Sequence, residues 1–322
     1  MQTIQGQDQN LALLRFAAEN NLPVLLVGDT GTGKTSSVEE LARASDKPLY
    51  RINLNGQTGT DEIIGKYLLK DRETQWTDGA LTMAMKSGSW ILLDEINAAS
   101  PEVLFTLHSL LDHDRMIALV EKNNEVVKPH PNFRIFASMN APSAEYSGVK
   151  DMNAAFVSRF PIVLTFNYPN QETEARILQE RENKLTTSDA IVLTELASRL
   201  RTLRGEGKVM YVCSTRDLLN AALLLCRGYS IVEAVSTAIL NKVFDQEEKK
   251  LITDTFVAIA KTALPEPESK KSITEIVKEN ADLREKSEKM EKDYTTKMAM
   301  LDEITAKLTV KRKKKTRKRP PF

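Results

Sequence analysis

Cysteine is scarce. Cys213 and Cys226 are the only two in 322 residues. Neither has metal-ligand spacing and both sit among apolar neighbours, which excludes a disulfide-stapled fold and predicts two buried thiols in a reducing compartment. The three histidines, His108, His113 and His130, fit no metal-binding pattern. Long apolar runs are missing too, so no transmembrane segment is expected. Met1 leads directly into polar Gln2-Thr3-Ile4-Gln5, not into a secretory leader. These absences predict a cytoplasmic protein.

What is present is ordinary in bulk and uneven in detail. At 41% hydrophobic and 28% charged residues, the composition is that of a soluble globular chain long enough for about two domains. The net charge is +1, but residues 311–319, KRKKKTRKR, hold eight Lys/Arg and no acid, which leaves −7 on the remainder. An acidic body with a basic tail follows.

The most informative stretch is Gly28 to Thr35, GDTGTGKT, which fits G-x-x-x-x-G-K-[ST] at every fixed position. Apolar Pro23–Val27 precedes it as a buried strand. Val38, Leu41 and Ala42 follow at helical spacing. Strand, glycine loop and helix form the context in which backbone N–H groups and a helix N-terminus cradle phosphates. Gly28, Gly31 and Gly33 are read as supplying backbone conformations closed to other residues. Gly28, Asp29, Thr30, Gly31, Thr32, Gly33, Lys34, Thr35 and Ser36 are the candidate nucleotide cradle. Lys34 would reach the β- and γ-phosphates, and Thr35 would ligate Mg²⁺.

About sixty residues later comes Trp90-Ile91-Leu92-Leu93-Asp94-Glu95, an apolar strand presenting two acids at its carboxyl end, where α/β sheets bind ligands. Asp94 would hold Mg²⁺, usually through water, and Glu95 would orient or deprotonate the attacking water. Phe133–Asn140 is a further strand ending in an amide, Asn140, able to orient water without adding charge.

Several other elements are legible. Residues 1–22 read as a helical lead-in with Leu11, Leu13, Leu14, Phe16 and Ala17 as packing positions. Strands are expected at 49–54 and 162–166, and helices at 79–86 and 101–111. Small hairpins are expected at 66–77 and 115–131. Residues 167–170 form a break. From 171 to 264 the pattern is helical almost throughout, with Ser214-Thr215-Arg216-Asp217 opening one helix. Pro265–Ser269 begins a linker over 265–272. A heptad register over 273–310 places apolar residues at eight of eleven a and d positions, predicting a coiled coil. Residues 311–322 form a basic tail too charged to fold alone.

The order GDTGTGKT, ILLDEIN, FASMNAP, AFVSRF, STRDLL resembles that of AAA+ ATPases, and most closely the MoxR group with its dynein and midasin relatives. NLNGQTGTDEIIGKYLLKD and DGALTMAMKSG are similar to that group as well, and the resemblance spans roughly residues 4–262. It implies a P-loop NTPase αβα sandwich with a parallel sheet over 1–168, then a small all-α lid over 169–264, with the coiled-coil helix and tail outside it. It also implies ATP and Mg²⁺ as ligands. By resemblance Lys34 and Thr35 fall on Walker A, Asp94 and Glu95 on Walker B, and Asn140 on sensor 1. Arg159 falls on the arginine finger, which acts on a neighbouring subunit's nucleotide, and Arg216 on sensor 2. The hairpins match inserts that face a central pore. A homo-oligomeric ring, taken as a hexamer, is the implied active form.

The reaction implied is Mg²⁺-dependent ATP hydrolysis; the coupled task has three readings. One is chaperone-like remodelling of an unknown client protein. The second is a nucleic-acid-associated motor or loader, with sequence-blind, salt-sensitive contact through 311–319. The third is a scaffold tethered by the coiled coil.

Overall fold

Hydrophobic strands that are apolar on both faces belong in a parallel sheet covered on both sides, and the computed structural model has one. It describes residues 8–70, 72–112, 115–140 and 152–263. The chain divides into two units, Met1–Thr255 and Phe256–Phe322, and only residues 256–263 of the second are described. The linker, coiled coil and basic tail expected from the sequence, and His113, lie outside the described residues.

Five strands form the sheet: β1 (Val24–Gly28), β2 (Leu49–Asn53), β5 (Trp90–Asp94), β8 (Arg134–Met139) and β9 (Ile162–Phe166), in the order β2-β5-β8-β1-β9. All pairings are parallel, so every carboxyl end points to one edge. Leu25, Ile91, Leu93 and Ala137 pack on one side against α4 (Ala80–Ser87) and α5 (Pro101–Leu111). On the other side Leu26, Leu92, Phe136 and Leu164 pack against α1 (Asp8–Glu19) and α2 (Lys34–Ala44). Leu92 and Leu93 are fully buried; truncating either to Ala would cost about 2–5 kcal/mol.

The lead-in helix corrects part of the expected packing. Leu14, Ala17 and Ala18 form its buried stripe, while Leu13 and Phe16 are 40% and 52% exposed. Spacing of i, i+3, i+4 selects one face, and two of the apolar residues fall outside it.

Two small hairpins project from this framework. After the single turn α3 (Thr60–Ile63), β3 (Gly65–Lys70) pairs with β4 (Glu73–Asp78), and β6 (Ile117–Leu119) pairs with β7 (Glu125–Val127). Tyr67 packs edge-on against Trp76 at 5.1 Å between ring centroids. Lys86 reaches both Asp78 (2.7 Å) and Glu125 (3.6 Å), tying the hairpins together. Leu69 and Val120 remain 76% and 72% exposed.

After the short helix α6 (Ala154–Val157) and β9 the chain is helical: α7 (Gln171–Arg181), α8 (Thr187–Gly205), α9 (Thr215–Cys226), α10 (Ile231–Ala238) and α11 (Gln246–Ala263). Asn170, Thr186, Ser214 and Ser230 cap the first four of these with side-chain hydrogen bonds, each worth about 1 kcal/mol. Cys213 is buried as expected, but Cys226 is only half-buried, because it lies in the last turn of α9, where the buried stripe has ended. Among the described residues no helix is long and apolar enough to cross a membrane.

Candidate functional site

The loop between β1 and α2 gathers the site. α2 begins at Gly33 (φ 94°) without a side-chain cap, so its first N–H groups stay free for an anion. Gly31 (φ 78°) shares the left-handed conformation. Gly28 does not, which corrects the reading that all three glycines serve backbone freedom. Gly28 is needed because β9 runs alongside it: a Cβ there would stand 2.2 Å from the Phe166 carbonyl oxygen.

Lys34 is buried, and its Nζ donates to the carbonyls of Gly28 (2.6 Å) and Asp29 (2.8 Å) and to Asn140 Oδ1 (3.3 Å). Burial pushes its ammonium down to about 8, against the pull of Asp94, Asp29 and Glu95. The Thr32 hydroxyl closes the loop on the Asp29 carbonyl at 2.8 Å. The Thr30 carbonyl accepts from the Tyr168 hydroxyl at 2.7 Å.

Asp94 ends β5 in a buried position. Its Oδ2 accepts from the Thr35 hydroxyl at 2.9 Å and from Arg51 Nε and Nη2 at 3.1 and 2.8 Å; Oδ1 accepts from the Ser138 hydroxyl. Among the described residues no group of three or more His, Cys, Asp or Glu could hold a metal. The pair of oxygens from Thr35 and Asp94 nevertheless suits Mg²⁺, which keeps several waters and takes further ligands from substrate phosphates.

Glu95 follows Asp94 with φ 58°, an unusual conformation for a side chain with a Cβ, and is exposed. Buried Asn97 donates to the Asn140 carbonyl at 3.4 Å and steadies it. Gly31 to Ser36 line one wall of a cleft, and Pro169, Ile177, Arg216 and Leu219 line the other. Arg159 is not among the cleft's lining residues, and neither are Asp94, Glu95 and Asn140. The Nε of Arg159 donates to Asp112 Oδ1 at 2.8 Å.

A buried polar chain lies behind the far wall. Arg201 makes a two-pronged pair with Glu174 (2.8 Å each) and lies 3.8 Å over the Tyr168 ring. Glu174 also accepts from the Thr215 hydroxyl at 2.5 Å. Sequence reasoning missed Arg51, Asn97, Ser138, Tyr168, Glu174 and Arg201. Period-two alternation could have found Ser138, on the same face of β8 as Asn140.

Comparison with known proteins finds two family regions in the chain. Residues 23–160 match the AAA domain of the dynein-related subfamily, and residues 174–261 match the CbbQ/NirQ/NorQ C-terminal region. The chain is 35% identical to NorQ of Paracoccus denitrificans (strain Pd 1222), over 76% of this chain and 88% of NorQ. It is 34% identical to CbbQ of Hydrogenophilus thermoluteolus, over 73% of this chain and 86% of CbbQ. Midasin of Giardia intestinalis is 33% identical over 72% of this chain, which spans 5% of midasin.

Proposed function

Because the chain belongs to the MoxR-like AAA+ ATPases, with a dynein-related AAA domain followed by a CbbQ/NirQ/NorQ C-terminal region, and is an ATP-hydrolysing P-loop enzyme, we propose that it works as a closed ring of copies that couples Mg²⁺-dependent hydrolysis to remodelling of a partner protein. One observation carries this reading. Lys34 with Asn140 and Thr35 with Asp94 are paired by hydrogen bonds around the phosphate loop, whereas Arg159 is held by Asp112 and the Ala155 carbonyl.

In this reading Lys34 and the N–H groups of the loop hold the β- and γ-phosphates. Thr35 and Asp94 hold the ion, which when bound neutralises charge on those phosphates. Glu95 accepts the proton of the attacking water and Asn140 orients that water. Arg216, from the start of α9, closes over the nucleotide. Arg159 acts on the nucleotide of the adjacent copy, a contribution worth about 10³–10⁵ in rate where arginine fingers operate. Exposed Leu69 and Val120 on the two hairpins, with Phe105, which lines one cleft with Val120 and is 75% exposed, are the surface offered to the partner protein. Exposed apolar groups of this kind mark contact sites.

Mixing two inactive variants tests the shared site. Glu95→Gln should bind ATP with little turnover, and Arg159→Ala should behave likewise. Mixed together, they should recover part of the activity, because some interfaces then join an intact Glu95 to a neighbour's intact Arg159. Wild-type turnover by isolated Arg159→Ala chains would remove the ring from the proposal.

A further inference from the structure

Arg51 lies on β2, the edge strand, beside Leu92 of β5, and Asp94 is two residues further along the same face. Both Nε and Nη2 of Arg51 bond one oxygen of Asp94, the Oδ2 that also takes the Thr35 hydroxyl. Its remaining prong, Nη1, reaches Glu39 on α2 at 3.4 Å. One guanidinium thus stands between two carboxylates that differ in setting. The Asp94 side chain is 8% exposed, and that of Glu39 is 40% exposed.

A carboxylate oxygen that accepts three hydrogen bonds, two of them from a cation, has less charge to offer a hydrated divalent ion. We propose that Arg51 is a positioning residue that sets the divalent-ion affinity of the nucleotide site, by holding Oδ2 of Asp94 in competition with the ion's water shell and shifting its charge toward Glu39 when the ion is bound. The proposal rests on the reading that Thr35 and Asp94 serve Mg²⁺. Three features of the site fit it. The guanidinium bonds the same oxygen as the Thr35 hydroxyl. Its own side chain is about half exposed (49%), which leaves it room to move. A second acid is already within reach.

The sign of each substitution follows. Removing the cation leaves Asp94 more negative, so the ion binds more tightly. Neutralising Glu39 removes the alternative seat, so Arg51 stays on Asp94 and the ion binds more weakly. Withdrawing a unit charge from about 6 Å of a divalent ion at a water-like dielectric changes its affinity about tenfold.

The test is a Mg²⁺ titration of the full-length chain with a fluorescent ATP analogue, reading nucleotide binding, with a parallel count of bound Mn²⁺ by electron paramagnetic resonance. Arg51→Gln should lower the half-saturating Mg²⁺ concentration about tenfold. Arg51→Lys should lie between it and wild type, since an ammonium keeps the charge without the planar fork. Glu39→Gln should raise the concentration. Arg51→Gln at or above the wild-type value would overturn the proposal. Should that variant fail to fold, Glu39→Gln and Arg51→Lys decide between the same outcomes through their opposite shifts. Asp94→Asn separates the two layers. If it leaves the Mg²⁺ dependence unchanged, the assignment of Asp94 to the ion fails. If it moves that dependence and Arg51→Gln does not, the role given to Arg51 alone fails.

Discussion

The Tyr168 hydroxyl donates to the Thr30 carbonyl at 2.7 Å, so the chain just past the end of β9 is fastened to the phosphate loop. Its ring also carries the Arg201 guanidinium, and Arg201 is paired with Glu174, which holds Thr215, the neighbour of Arg216. The loop and the start of α9 are therefore joined by a continuous set of contacts. A second touch reinforces it: a Cβ on Gly31 would come within 2.7 Å of the Ser214 Cβ.

Tyr168→Phe should uncouple that connection with little damage to the fold. The ring stays under Arg201, and one hydrogen bond is lost, worth about 1 kcal/mol in urea denaturation. ATP affinity should fall several-fold, since the loop loses its anchor opposite Arg216. Equilibrium binding of a fluorescent ATP analogue checks this, and unchanged affinity would count against the coupling.

The Glu174–Arg201 pair makes a larger prediction. Glu174 is 1% exposed, and removing one partner of a buried pair strands the other. Glu174→Ala should cost about 3–5 kcal/mol. Replacing both together, Glu174→Leu with Arg201→Met, should recover most of that stability, as expected when a buried ion pair gives way to apolar side chains of similar size. The double variant should still bind ATP less well, because Thr215 loses Glu174 and the Tyr168 ring loses Arg201. Denaturation midpoints for the two variants, set beside their ATP affinities, separate stability from binding.

These two sets of residues also show what the sequence could reveal. β5 was legible because a fully buried parallel strand must be continuously apolar, and its run stops at two acids. The phosphate loop was legible because its chemistry fixes glycine, lysine and hydroxyl at set spacing. The first hairpin showed as β-prone ends around a charged middle, and the second as two strands about a turn at Lys122-Asn123-Asn124-Glu125. Arg51, Glu174 and Arg201 were not legible. Each is a charged residue on an otherwise ordinary strand or helix, and its partner is decided by which elements lie side by side. Arg201 and Glu174 are brought together by the packing of α7 on α8, which no local pattern encodes. Leu13 and Phe16 show the opposite case, apolar residues in a helical run that tertiary packing leaves outside.

Glu95 stands in the left-handed region at φ 58°, a conformation that costs a residue with a Cβ about 1 kcal/mol or more. Glu95→Gly should therefore raise the stability of the nucleotide-free chain by about 1 kcal/mol while abolishing turnover. Glu95→Gln, which keeps the Cβ, should abolish turnover with no such gain. Thermal denaturation of both variants without nucleotide checks this. Equal stability of the glycine and glutamine variants would mean that the backbone at this position is not strained.

The two thiols give a probe of the Glu174 network. Burial pushes Cys213 up to about 12 and raises Cys226 as well, so at pH 8 only on the order of one Cys213 in 10⁴ is the reactive thiolate. Cys226 is half-buried and should react first with iodoacetamide, followed by mass spectrometry, at a rate that climbs as pH rises from 7 to 9. Cys213 precedes the cap of α9, and its carbonyl accepts from Arg201 Nε at 3.0 Å. Its labelling is then limited by opening of that network and should respond far less to pH. Glu174→Ala, which leaves Arg201 without its partner, should bring Cys213 labelling toward that of Cys226. If Cys213 stayed protected in that variant, the ion pair would not be what closes this part of the structure, and the stability loss predicted for Glu174→Ala would have to arise elsewhere.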